Sequence, residues 1–341
     1  MSDAQAPTRQ HGQPILDRLA FETLAAAHRR ELKLHCYRMM GSLHEADDLV
    51  QDTFLRAWRA RSEFDGRGSV RGWLYTIATN SCLNALKART RSQRVLQQPG
   101  RPASHGPATG GPTAEVAWLE PYPDAELPDL ADSEPGPEAR YETREAVRLA
   151  FVAAIQDLPP RQRAALLVAD VLGWSAVETA RLLGGSTASI NSALQRARAT
   201  LTARYPQGRP IERSQPTPED GLLLERYMQA WQAANLDGLI ALLREDATYQ
   251  MPPWLEWYQG RPAIRGFLET VWGNFAGFRA VAAAANNQPA VGVYARTHQD
   301  PTWRAHSLHV MEPAEGGIAS LTIYLGPIGP SLFPAFGLPP S

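Results

Sequence analysis

A chain of 341 residues allows two or three domains, and 44% hydrophobic with 20% charged residues is ordinary globular composition. The formal net charge of −1 excludes a generally basic coat for nucleic acid, so any DNA role must rest on local patches. Two cysteines, Cys36 and Cys82, exclude a disulfide scaffold and a cysteine-based metal centre, and no run approaches the ~20 apolar residues of a membrane helix.

The first segment, 1–13, is polar and has no apolar signal core. Two cysteines inside helical patterns suit a reducing, cytoplasmic compartment. Residues 15–94 read as mostly helical. Ser42-Leu-His-Glu45 has the form of a capping box, opening a helix with Leu49, Val50, Phe54, Ala57 and Trp58 on its apolar side. Asp47, Asp48, Gln51 and Asp52 crowd its polar start. Acids near a helix N-terminus are favourable in themselves, but Asp52 lies beyond the first turn. An acidic, partly apolar helix is also a docking face for a basic partner.

The next helix has Trp73, Leu74 and Ile77 on its core side. Asn80, Asn84, Lys87 and Arg91 recur at helical spacing, with Arg89 and Arg94 extending the basic surface. Amides can read base edges, cations can hold phosphates, and neighbouring aromatics can support unstacked bases. For any single residue a solvated helix face explains as much; the combination is more informative. Lys33 and Lys87 are the only lysines among 34 basic residues. Arginine suits phosphate and guanine contacts, although G+C-rich coding produces the same skew.

Residues 97–137 are dense in Pro, Gly and acids and read as a linker, with the aromatic segment Trp118-Leu-Glu-Pro-Tyr-Pro-Asp124 inside it. Helical periodicity returns over 138–204. Leu158-Pro-Pro-Arg-Gln-Arg163 leads into one helix. Ser175-Ala-Val-Glu178 is a capping box for a second, expected to bury Val177, Ala180 and Leu183. Gly184-Gly185 allows a tight turn, and Ser186 caps a third helix with Ile190, Leu194, Ala197 and Leu201 on one face. This is a helix-turn-helix. Its recognition helix offers Ser186, Thr187, Ser189 and Asn191 toward base edges, with Ser192 and Gln195 on the same polar face, and Arg196, Arg198 and Arg204 toward phosphates.

A second Pro-rich linker precedes residues 219–329, where two helices are followed by segments of β-branched and aromatic alternation. Strands are expected at 247–251, 279–285, 290–297, 303–311 and 318–325, with a turn into a helix over 260–268. His306 and His309 have odd spacing along a strand and are expected on opposite faces, which argues against a paired-histidine site. Trp254, Trp257, Tyr258, His306 and Tyr324 are candidates for lining a pocket, with Asp246, Tyr249 and His309 as further titratable candidates.

Taken together, Glu45 to Trp58, Trp73 to Asn80 with Asn84, and Leu158 to Leu201 resemble regions 2 and 4 of the extracytoplasmic-function (ECF) sigma factors of the sigma-70 family. The last segment resembles the SnoaL-like, NTF2-type fold, a curved sheet wrapped around helices, which a subset of those factors carries. The resemblance implies a multidomain chain: an all-α region 2, an all-α helix-turn-helix region 4, then an α+β domain. The expected boundaries are a flexible N-terminus over 1–17, region 2 over 18–95, a linker over 96–139, region 4 over 140–206, a linker over 207–218, the SnoaL-like domain over 219–330 and a tail over 331–341.

The resemblance also implies partners. Asp47, Asp48, Gln51, Asp52, Phe54 and Trp58 would bind the β′ clamp helices of core RNA polymerase. Asn80, Asn84, Lys87, Arg89 and Arg91 would read the −10 element, and region 4 would dock on the β flap and read −35 DNA. Trp118, Pro121 and Tyr122 are expected to contact another domain, because aromatic residues in a polar linker usually find a packing partner. The resemblance calls for no catalytic residue, cofactor or metal, while the last domain offers a candidate small-molecule pocket. A separate anti-sigma factor becomes less necessary. The rival readings are a one-component regulator, which has no use for the Asp47–Trp58 helix, and an enzyme with a DNA-binding appendage. A Gly-rich motif of neighbouring groups is reduced here to Glu315-Gly-Gly317, so a mechanism resting on it does not carry over.

Overall fold

The computed structural model describes residues 18–62, 64, 69–89, 94–96, 101–128, 146–204 and 217–341. The expected flexible N-terminus, Arg91, most of the second linker and the side chain of Arg204 lie outside the described residues.

Three helices open the structure: α1 (Arg18–Met40), α2 (Leu43–Ala60) and α3 (Val70–Ala88). Every residue from Leu32 to Met40 is buried, including Lys33, His35 and Arg38. A helix end enclosed on all sides needs neighbours on all sides. Helices α2 and α3 cover two of them; the linker and the next helical module cover the rest. Gly41 turns the chain between α1 and α2 at φ +70°, and a Cβ there would meet Leu119 of the linker at 2.9 Å.

The second module comprises α4 (Leu149–Gln156), α5 (Pro160–Leu166) continued by a π-type turn (Leu167–Val171), α6 (Ala176–Leu183) and α7 (Thr187–Arg204). Ser175 and Glu178 form the reciprocal capping box. Gly184 ends α6 in the left-handed region, and Ser186 Oγ accepts from Ser189 N at 3.2 Å. Ile190, Leu194, Ala197 and Leu201 are buried as the pattern requires. Val177 is the exception, being half exposed, while Thr179 and Leu182 are buried instead. At about 100° per residue, Thr179, Ala180, Leu182 and Leu183 share one side and Val177 falls on the other.

The two modules pack directly on each other. Arg163 of α5 is buried and donates from Nη1 to Met39 O at the end of α1, and to Gln156 Oε1 (2.6 Å). Its Nη2 donates to Gln156 O at 2.8 Å, and Gln156 Nε2 donates to Arg38 O at 3.0 Å. Burial pulls the Arg163 guanidinium down to about 10. Trp174 sits edge-on to Tyr75 of α3, 5.8 Å between ring centres.

The C-terminal domain begins with α8 (Pro218–Gln232) and α9 (Leu236–Ala241). Six strands follow: β1 (Leu243–Gln250), β2 (Trp257–Gln259), β3 (Phe275–Ala285), β4 (Gln288–Thr297), β5 (Arg304–Ala314) and β6 (Gly317–Tyr324). Helix α10 (Arg261–Trp272) separates β2 from β3, and α11 (Ile328–Leu332) follows β6. The sheet order is β2-β1-β6-β5-β4-β3, with β1 and β6 parallel and the other neighbours antiparallel. Alternation along the strands divides two cores. Val291, Val293, Leu321 and Ile323 face inward with Tyr227, Trp231 and Phe267. Ala290, Tyr294, Leu308, Val310 and Tyr324 face outward and join the core of the helical modules. The residues after β6 are packed rather than trailing. Phe333 is buried edge-on to Tyr294, and a Cβ at Gly292 would meet Leu338 Cδ1 at 2.5 Å.

Candidate functional site

Four places on this frame matter: the α2–α3 surface, the face of α7, the junction of all three units, and the cavity in the last domain.

Helix α2 presents Asp48 and Gln51 to solvent. Asp47 is half-buried, its carboxylate held by Lys33 Nζ at 2.7 Å and Arg29 at 3.5 Å. Lys33 is also paired with Glu126 of the linker. Asp52 accepts from Arg56 (2.7 Å) and from Ser81 of α3 (3.2 Å). Phe54 and Trp58 are half-buried, Trp58 edge-on to Phe21 and covered by the Arg61 guanidinium at 3.8 Å. The expected capping box at Ser42 is only half present. Ser42 Oγ accepts from Glu45 N (3.3 Å), but Glu45 turns away to pair with Arg89 and Arg94. Glu120 of the linker takes its place, accepting from Leu43 N at 2.7 Å and Ser42 Oγ at 3.0 Å. A second cation pair drew Glu45 off, and a carboxylate from another segment fills the helix N-terminus.

Asn80, Asn84 and Lys87 are exposed along α3. Arg89 is not free, since Glu45 holds it; burial and then the nearby Arg94 pull it down to about 10. On α7, Ser186, Thr187, Ser189, Asn191, Ser192, Gln195 and Arg196 are all exposed. Arg198 is committed to Asp170, with contacts of 3.0 and 2.7 Å.

The junction is built around the β3–β4 turn. Asn286 and Asn287 both have positive φ, 58° and 56°, the pair of left-handed residues a two-residue hairpin requires. The buried Asn286 side chain touches every unit. Its Oδ1 accepts from Tyr122 N of the linker (2.8 Å), and its Nδ2 donates to Tyr37 Oη of α1 (3.0 Å) and Val147 O before α4 (2.7 Å). Asn286 N donates to Tyr122 O at 2.9 Å. Asn287 N donates to Asp124 Oδ1 at 2.9 Å, and burial pushes the Asp124 carboxyl up to about 6 against that bond. Trp118, Pro121 and Tyr122 are all buried, with Tyr122 4.8 Å from Tyr37 ring to ring. Leu119 N donates to Val95 O (2.9 Å), Glu120 N to Gly41 O (3.0 Å) and Tyr37 Oη to Glu120 O (2.8 Å). Beside the turn, Arg148 pairs with Glu312 of β5, and Leu149 N donates to Gln288 Oε1 at 3.0 Å.

The cavity of the C-terminal domain holds about 540 Å³ between the helices and the inner sheet face. Trp254 and His306 line it; Trp257, Tyr258 and Tyr324 do not. Trp257 instead donates from Nε1 to Arg101 O of the linker (3.0 Å). Tyr258 is buried and stacked on Phe267, and Tyr324 lies on the outward face, in the other core. Asp246 is on the surface, paired with Arg244 at 2.9 Å.

The expectation for His306 and His309 is corrected. Both line the cavity. On β4, Val293 and Tyr294 are adjacent, yet they pair with Ser307 and Ala305, so His306 is an extra residue in β5. Such a bulge interrupts the alternation on which the opposite-face expectation rests. A chain of bonds results: Tyr227 Oη to His309 Nδ1 (2.8 Å), His309 Nε2 to Ser307 Oγ (2.7 Å), Ser307 Oγ to His306 Nδ1 (3.0 Å). Burial brings His306 down to about 4, and burial together with His306 brings His309 well below its ordinary range.

Comparison with known proteins agrees with this architecture. The Sigma-70 region 2 model matches residues 24–92, Sigma-70 region 4 matches 148–201, and the SnoaL-like domain matches 224–321. The ECF RNA polymerase sigma factor SigG of Mycobacterium tuberculosis is 42% identical over 323 residues, covering 94% of this chain and 84% of SigG. The chain belongs to the ECF RNA polymerase sigma factors. SigM of the same organism is 31% identical over 185 residues, covering 54% of this chain and 76% of SigM. The crystal structure of M. tuberculosis SigJ shares the fold, with a TM-score of 0.58 at 20% identity, covering 94% of this chain and 99% of that one.

In this ECF sigma factor, α1–α3 form region 2, α4–α7 form region 4, and the six-stranded sheet with its helices forms the SnoaL-like domain. Sequence reasoning named His306 and His309 but did not find Asn286, Glu120 or the bonds through Tyr227 and Ser307 that join the two histidines. A signal existed for Asn286: two consecutive asparagines between strand patterns mark a hairpin turn. None existed for Glu120 or Tyr227, whose partners lie more than 70 residues away, and the local link through Ser307 depends on the bulge in β5.

Proposed function

We propose that this ECF sigma factor is held closed by its own C-terminal domain, and must open to read a promoter. The observation that carries this is Asn286, one buried side chain bonded at once to region 2, the linker and the start of region 4. B-DNA rises about 3.4 Å per base pair, so −10 and −35 elements some 25 base pairs apart lie roughly 85 Å from each other. Regions 2 and 4 here share one core, with Arg163 of region 4 buried against Met39 of region 2. An 18-residue helix such as α7 is only about 27 Å long. Two modules in direct contact cannot span that distance.

The α2 surface around Asp48 and Gln51 is the docking face for core polymerase, with Asp47, Asp52, Phe54 and Trp58 completing it. Asn80, Asn84 and Lys87 read the −10 element, joined by Arg91. Arg89 is released for that role only if Glu45 lets go. Ser186, Thr187, Ser189, Asn191, Ser192, Gln195 and Arg196 read the −35 element; Arg198 braces α7 through Asp170. The protein acts in the cytoplasm, where its polymerase is, and performs no chemistry itself. Both nitrogens of His309 are committed to neighbours, which supports a structural rather than a catalytic histidine.

Run-off transcription with purified core polymerase tests this reading. Asn286→Gly keeps a residue suited to positive φ while removing the three bonds that the Asn286 side chain makes at the junction. The variant is expected to initiate more transcripts per mole than the wild type from the same start sites. Equal or lower output would contradict a restraining role.

A further inference from the structure

The cavity has a wall that the SnoaL-like domain does not itself supply. Ala108 and Gly110, from the linker between regions 2 and 4, line it beside Trp231, Trp254 and Trp272. This strap is tied down along its length. Ser104 N donates to Trp257 O (2.7 Å), Gly110 N to Glu256 Oε1 (3.0 Å) and Thr113 N to Pro253 O (2.9 Å). Trp254 Nε1 donates back to Gly110 O at 3.2 Å. A Cβ at Gly110 would meet Glu256 Oε1 at 2.8 Å, so the close approach depends on glycine at that position.

The interior chemistry is specific. Among the described residues no carboxylate, lysine or arginine lines the cavity, and burial disfavours the charged form of both its histidines. A charged guest would lose its hydration without a counter-charge. The Trp272 indole N–H is buried and has no acceptor among the described residues, an unmet donor in an aromatic wall. A volume of about 540 Å³ is in the range of ordinary small-molecule sites.

We infer that the cavity binds a neutral, largely apolar ring compound carrying a carbonyl or similar acceptor, and that the 104–113 strap is its lid. The guest's contacts with Ala108 and Gly110 exist only while the strap is seated, so binding favours the seated strap. The strap leads straight into the junction, since Trp118 Nε1 donates to Thr113 O at 3.2 Å. The ligand therefore tightens the closed arrangement. This last step rests on the restraining role proposed above; the binding site and lid do not.

The test uses the full chain, with Nile red, a neutral polycyclic carbonyl dye, as probe and acetylnaphthalene as competitor. Amide hydrogen exchange over 104–113 is followed in parallel. The expected result is saturable one-to-one binding, displaced by acetylnaphthalene, with slower exchange at Gly110 and Thr113. Trp272→Phe weakens binding roughly tenfold, the worth of one buried hydrogen bond. Ala108→Trp, which fills the cavity from the strap, abolishes it and serves if the first variant folds poorly. Saturable binding without protection of the strap would overturn the lid; no saturable binding would overturn the site. Neither outcome touches the transcription comparison of wild type with Asn286→Gly, so the two readings fail separately.

Discussion

At the residue scale, the closed arrangement depends on a few polar side chains buried where the units meet. Asn286→Gly leaves Tyr122 N without its acceptor and Val147 O without its donor. Losing buried bonds of this kind costs about 1–3 kcal/mol, visible as a lower midpoint in chemical denaturation. Asp124 gives a pH signature. Its carboxyl is raised from 3.8 to about 6, so the docked state binds the proton more tightly than the undocked one. A raised carboxyl favours docking below its free value and loses that advantage as pH rises from about 4 to 6. Asp124→Asn keeps the acceptor for Asn287 N and removes the buried charge. The melting temperature of the variant relative to wild type is expected to climb over that interval and then level off. A difference that does not vary with pH would show the carboxyl to be unperturbed.

At the element scale, helix-forming segments were legible because their periodicity and caps are local. The box at Ser175, the left-handed Gly184 and the Ile190–Leu201 stripe follow from neighbours within one or two turns. The strands over 275–285, 288–297, 304–314 and 317–324 were legible by alternation, within a few residues at each end. The misses share a cause, since each depends on a distant segment. Val177 was assigned to the core without its partner surface, and the bulge at His306 exists only against β4. Glu120 caps α2 from 77 residues away, which no spacing rule anticipates. Glu120→Ala removes that cap, and a loss of about 1 kcal/mol in thermal stability is expected. On α7, Gln195→Ala touches an exposed side chain. Binding to −35 DNA should weaken severalfold with the melting temperature unchanged, measured by fluorescence anisotropy alongside a thermal melt. A fall in stability of the same size would place Gln195 in the fold rather than on the DNA.

At the scale of the whole molecule, the three units form one body by sharing cores. The outward face of the C-terminal sheet, with Tyr294, Leu308, Val310 and Tyr324, packs into the same cluster as regions 2 and 4. The linker supplies Trp118, Leu119 and Tyr122, and its Pro-rich composition concealed how much of it is buried. Composition reports only that a segment avoids regular structure, and an extended segment can still be packed. The most direct measurement is the distance between regions 2 and 4 in solution, by pulsed electron resonance. Spin labels at Ala26→Cys and Ala199→Cys sit on exposed helix positions outside the proposed contact residues. The free chain should give a single short distance, core polymerase with promoter DNA should replace it with a long one, and Asn286→Gly should populate the long one without DNA. The same distance in the free and promoter-bound states would contradict a closed form that opens.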